Sequence, residues 1–121
     1  MGARVIALQP GRAELQLRDR RRVRNHLRSI HAIALANLGE LASGLAMTTA
    51  LPPAVRGIPV HLGIEYRKKA RGTLTAIGTG TPGVVMDAAN AVAVAEIRDQ
   101  VHDLVAVVTV RWQLHRTDTP A

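Results

Sequence analysis

Asn25-His-Leu-Arg-Ser-Ile-His31-Ala-Ile-Ala-Leu-Ala-Asn37-Leu-Gly-Glu40-Leu-Ala-Ser43-Gly44-Leu45 is the stretch on which the reading of this chain turns. It continues without a breaker until Pro52-Pro53, and Ser29 has the short hydroxyl side chain that caps a helix start. The spacing predicts one helix from about residue 30 to about residue 50, roughly 30 Å long, the width of a small domain. Ile30, Ile33, Leu35, Leu38, Leu41, Leu45 and Met47 fall on different sides of it. A helix that is apolar nearly all round is expected to be wrapped by other structure. Its few polar or small positions, Asn37, Glu40, Ser43 and Gly44, recur at spacings of three and four and predict a single stripe. A carboxylate in a buried helix is costly unless it is paired or used. Glu40 is therefore the first place to look for chemistry.

The flanking sequence alternates with a period of two. Arg4–Leu8 reads as a short strand or lead-in closed by Pro10-Gly11, and Ala13-Glu-Leu-Gln-Leu17 as a strand. After the helix, Val60, Leu62, Ile64 and Tyr66 alternate with polar neighbours, and Arg71-Gly72 turns the chain into Thr73–Ile77. Thr79-Gly-Thr-Pro-Gly83 reads as a loop. Ala91–Ile97 is the next strand, Asp99-Gln-Val-His102 a hairpin turn, and Leu104–Trp112 the last strand. Tyr66 and Trp112 both read as facing the core. No internal repeat or linker interrupts the order, so residues 1–121 are expected to form one domain. The predicted class is α+β: an antiparallel sheet wrapped around one long central helix.

Composition narrows the chemistry. A chain of 121 residues buries roughly two-thirds of its unfolded surface, enough for one core. With 2% aromatic residues and no Phe, that core must be built from Ala, Val, Leu and Ile, which implies close helix–sheet approach. The absence of cysteine removes thiol nucleophiles, thiolate metal ligands and disulfides, and fits a cytoplasmic protein. The N-terminal residues lack the apolar run of a signal peptide. Asn37, Glu40 and Ser43 argue against reading Ile30–Leu51 as a membrane span, an acid at mid-helix opposing insertion by about 2.5–3.5 kcal/mol. A net charge of +7 implies an anionic partner. The basic positions are Arg67-Lys68-Lys69-Ala-Arg71, before the turn, and Arg18–Arg24, after the second strand. His26, His31 and Glu40 lack the i, i+4 histidine pair of a zinc-binding helix, so no metal is expected.

Asn25, His31 six residues on and Glu40 nine further are similar in spacing to the motif of hotdog-fold acyl-CoA thioesterases, with Asn37-Leu-Gly-Glu40-Leu-Ala-Ser43-Gly44 as its context. Ile64-Glu-Tyr-Arg-Lys-Lys-Ala-Arg-Gly72-Thr-Leu resembles the family's strand and Gly-Thr-Leu turn. The likeness runs from about Ala13 to Leu114. It is greatest to the branch containing phenylacetic-acid-pathway thioesterases and small bacterial relatives. It implies a hotdog fold, a homodimer or dimer of dimers, and an acyl-CoA substrate that needs no separate cofactor. It also implies Glu40 as base or nucleophile, with His31 and Asn25 across the subunit seam. The thioester would lie near Ala32, Ile33, Asn37 and Ser43, and the coenzyme A phosphates near Arg67, Lys68, Lys69 and Arg71. The family's Gly-Gly after the histidine is Ala32-Ile33 here, which narrows the approach to the helix start. That departure motivates an alternative, a non-catalytic acyl-CoA or lipid binder. The net charge motivates another, a nucleic-acid binder. Only Tyr66 and Trp112 are available to stack on bases, so no nucleic-acid partner is expected.

Overall fold

The structure is a computed structural model, described for residues 2–18 and 32–118. Six strands and one helix follow in the order β1 (Ala3–Gln9), β2 (Arg12–Leu17), α1 (Ala32–Ala50), β3 (Val55–Tyr66), β4 (Leu74–Gly80), β5 (Ala88–Arg98) and β6 (Leu104–Arg116). Ser29, the expected cap, lies outside the described residues, as does most of the Arg18–Arg24 run.

All pairings are antiparallel, in one sheet of order β1-β2-β4-β5-β6-β3. Gly11, with φ +84°, closes the β1–β2 hairpin after Pro10, and Gly72, with φ +74°, leads into β4. Asp99 makes the β5–β6 turn, its carboxylate accepting from the Val101 and Asp103 amides at 3.1 and 3.0 Å. The expected loop at residues 79–83 starts later than its glycines suggest. Gly78, Thr79 and Gly80 complete β4, paired with Ala95, Val94 and Ala93 of β5.

Alternation along β2, β4, β5 and β6 puts one face of the sheet against α1. Leu15, Leu17, Leu38, Met47, Leu74, Ile97, Val108 and Leu114 are fully or almost fully buried there. The small residues Ala13, Ala42, Ala46, Ala76, Ala93 and Ala95 are fully buried among them. The helix sits so close that a side chain at Gly78 would strike the carbonyl of Ala42, and one at Gly39 would strike Val108. The Ala-rich core and its tight packing match the expectation from composition.

The helix is not wrapped on all sides. It covers β2, β4, β5 and β6 and scarcely reaches β3. Asn37, Glu40, Leu41 and Thr48 stay exposed, and Ile33 is 76% exposed. Of the apolar residues all round the helix, the sheet therefore covers only one side. At the sheet edge β3 likewise leaves Ile58, Val60, Leu62 and Tyr66 exposed.

Candidate functional site

The uncovered face of α1 meets β6 and one residue of the edge strand β3 in a groove. Asn37, Glu40, Leu41, Gly44, Leu45 and Thr48 form its helix wall, and Pro59, Val110 and Trp112 form its floor. Its volume is about 400 Å³. The wall residues recur at steps of three and four, so one helix face supplies them all. Glu40 stands on this wall, exposed rather than buried, so it carries no burial cost in the protomer.

Ser43 departs from the expected stripe. At about 100° per residue it falls about 60° to the far side of Glu40, away from Asn37 and Gly44. It is fully buried, and its hydroxyl donates to the Glu40 carbonyl at 3.2 Å. The hydroxyl is thus consumed by the helix backbone and does not line the groove. Asn37 does line it. Ala32 and Ile33 are exposed at the helix start. Tyr66 is 49% exposed, contrary to the core position expected, because β3 is an edge that the helix does not cover. Its hydroxyl donates to the Ala32 carbonyl at 3.3 Å, tying the end of β3 to the start of α1. Asn25 and His31 lie outside the described residues.

Trp112 is core-facing as expected, and it is also part of the groove, which its position in an alternating strand does not reveal. Its side chain lies beside two glycines. An ideal Cβ at Gly44 would meet Cζ2 of the indole at 3.9 Å, and one at Gly57 would meet Cε3 at 3.1 Å. Trp112 is 7% exposed, and its Nε1 is buried with no hydrogen-bond partner among the described residues. An unpartnered buried donor costs about 1–3 kcal/mol.

The four basic residues expected to meet phosphates divide into two pairs. Arg67 reaches Glu65 at 3.2 Å. Lys68 bridges Asp99 at 2.8 Å and Asp103 at 3.0 Å, on the β5–β6 turn. Hydrogen bonds to these carboxylates hold the Lys68 ammonium above its usual range. Lys68 likewise holds the Asp99 carboxyl low, with the Asp103 and Val101 amides assisting against partial desolvation. Two of the four cations are thus engaged by the protein's own acids. Lys69 and Arg71 are exposed and make no ion pair among the described residues.

A larger depression, of about 700 Å³, lies on the opposite face of the sheet and includes Glu14, Gln16, Thr75, Glu96 and Arg98. Within it Arg98 reaches Glu96 at 3.2 Å, and Glu14 pairs with the neighbouring Arg12 at 3.7 Å. The groove beside Glu40 combines an acid with an apolar floor, which is the arrangement a reactive group on a greasy chain requires. Among the described residues no helix is long and apolar enough to cross a membrane.

One long helix laid on a six-stranded antiparallel sheet of this order is the hotdog fold, and solved thioesterase-family structures share it. A structural-genomics protein 28% identical in sequence aligns with a TM-score of 0.86, over 94% of this chain and 77% of its own. The thioesterase HI1161 of Haemophilus influenzae aligns at 0.82 with 16% identity, over 98% and 81%. A point variant of the phenylacetic acid degradation protein PaaI of Thermus thermophilus aligns at 0.78 with 20% identity, over 93% and 92%. At the identities of the last two, the likeness is one of fold. The chain belongs to the family described as domain of unknown function DUF4442, which it matches over residues 1–114. No curated protein matches it.

Proposed function

We propose that this protein is an acyl-CoA thioesterase acting as a homodimer, alone or paired into a dimer of dimers, with Glu40 as general base or nucleophile. The observation that carries the reading is the Glu40 carboxylate at an apolar groove that the protomer leaves open. As a base, Glu40 takes a proton from water, the hydroxide oxygen bonds to the thioester carbonyl carbon, and the C–S bond breaks. The coenzyme A thiolate then takes up the proton, and the carboxylic acid leaves. As a nucleophile, the Glu40 carboxylate would bond to the thioester carbonyl carbon and expel the coenzyme A thiolate; water would then hydrolyse the resulting anhydride to the free acid and Glu40, whose proton passes to the thiolate.

The exposed apolar side chains of β3 and its free edge support self-association. An unpaired edge strand is a template for another strand, and a two-fold axis lets each protomer complete the other's groove. In such a dimer Asn25 and His31 would face the acid across the seam, orienting water or the thioester carbonyl. Lys69 and Arg71 are the cations available to coenzyme A phosphates, with Arg67 and Lys68 contributing only by giving up their present partners.

The test is free-thiol release from a panel of acyl-CoA thioesters. The chain has no cysteine, so the protein adds no background. Wild-type protein should turn over at least one thioester, and Glu40→Gln should lose roughly 10²- to 10⁴-fold in kcat, the usual contribution of a positioned base. Full activity in Glu40→Gln refutes the assignment. Ile33, exposed at the helix start where the related thioesterase motif has glycine, favours a second reading, a binder that holds acyl-CoA without cleaving it. Calorimetric binding without turnover on any chain length would decide for that reading.

A further inference from the structure

We propose that Trp112 is a specificity residue, an indole plug that confines the groove beside Glu40 to short acyl chains. The inference rests on the acyl-CoA reading and names its substrate class. Gly44 lies one helical turn beyond Glu40 on the same wall, about 6 Å along the axis. It has no side chain, so the wall opens there. The space it opens faces the indole, whose Cζ2 lies 3.9 Å from where a Cβ at Gly44 would stand. On the other side, the position a Cβ at Gly57 would take is met first by Leu114 Cδ2 and then by the indole, with Cε3 at 3.1 Å. The gap on the helix thus faces the indole, and the gap on the edge strand is shared by the indole and Leu114.

A chain anchored by its thioester at Glu40 and turning down from α1 toward the sheet meets this ring at the groove floor. Taking the ring away would join the groove to a space bounded by both glycines. Core filling alone does not explain an indole here. Its Nε1 is left without a partner among the described residues, a penalty that a purely apolar side chain would avoid. The chain contains no other Trp and no Phe, so a bulky ring at this position is an exception in its own core.

The test is the ratio of kcat/KM for decanoyl-CoA to that for butyryl-CoA in wild type, Trp112→Phe and Trp112→Leu. Wild type should favour butyryl-CoA. Trp112→Leu should raise the ratio at least about tenfold, within the discrimination a hydrophobic pocket achieves per methylene, with Trp112→Phe between. A wild type that prefers decanoyl-CoA, or a folded Trp112→Leu with an unchanged ratio, overturns the proposal while leaving the thioesterase reading intact. Should Trp112→Leu fail to fold, Gly44→Ala carries the test. Its methyl group meets only Cζ2, at 3.9 Å, so the fold tolerates it, and it should lower the ratio; no change overturns the proposal. If wild type cleaves no thioester, the thioesterase reading fails and the plug is tested by binding. The single tryptophan's emission should shift on titration with a non-hydrolysable butyryl-CoA thioether and shift less with the decanoyl thioether. No shift with either overturns the plug.

Discussion

Replacing Gly78 by alanine tests the packing that holds the groove in place. A Cβ at residue 78 of β4 points straight at the helix backbone, into the carbonyl group of Ala42, with the Ser43 nitrogen 2.7 Å away. Carbon atoms rest at about 3.5–4.0 Å, so α1 would have to lift by about 1 Å. No flexible side chain is available to absorb the contact, because backbone meets backbone. Overpacking of this kind costs about 1–3 kcal/mol. At roughly 4 °C of melting temperature per kcal/mol for a chain of this length, the variant should melt about 4–12 °C lower. Urea unfolding followed by circular dichroism gives the free energy directly, with Gly63→Ala as the control. Gly63 also lies in a strand, but a methyl there meets only the end of His61 at 3.8 Å, so the control should be neutral or slightly stabilising. A Gly78→Ala protein within about 0.5 kcal/mol of wild type at an unchanged denaturant slope would refute the close-approach argument.

Neutralising Lys69 and Arg71 together should raise KM for acyl-CoA several-fold at low salt with kcat little changed, and the difference should shrink as ionic strength rises. Neutralising Lys68, already bound by Asp99 and Asp103, should change KM less; an equal effect would show that its ion pair opens on binding. The same cluster predicts a pH response. Asp99 is held low by Lys68, so its contribution to stability is present above the unfolded carboxylate pKa of about 3.9 and is lost as pH falls through the folded value. Lys68 is held high, so its contribution is present below about 10.4 and is lost as pH rises through the folded value. Amide exchange in the β5–β6 turn should therefore accelerate at both extremes in wild type, and Lys68→Met should flatten both limbs.

The period of two marked the strands because the sheet has one buried face, and Pro52-Pro53 marked the end of the helix because proline cannot continue it. The exposed side of α1 was hidden for the opposite reason. Ile33 and Leu41 are as apolar as Leu35 and Leu38, and hydrophobicity does not distinguish a face buried against the sheet from one left exposed. Spacing groups Ser43 with Glu40, but its hydroxyl bonds to the helix's own backbone. The partners of Lys68 lie more than thirty residues away in sequence, on a turn whose position depends on the sheet. Tyr66 alternates correctly and is nevertheless half exposed, because alternation gives the face of a strand and not its place at the edge.

Gly39 adjoins Glu40 but lies about 100° round α1 from it, on the buried side, where a side chain would drive into Val108, with the Val108 Cβ at 2.6 Å from the added atom. The back of the helix therefore acts as a fixed datum for the front. Any residue that wedges α1 away from β6 must carry the Glu40 carboxylate with it, along with the wall beside it. Tolerance to substitution at buried glycines and precision at the carboxylate are one mechanical quantity. A library that varies residues around Gly39 and Gly78 would change where the acid stands without altering a single atom that a substrate touches.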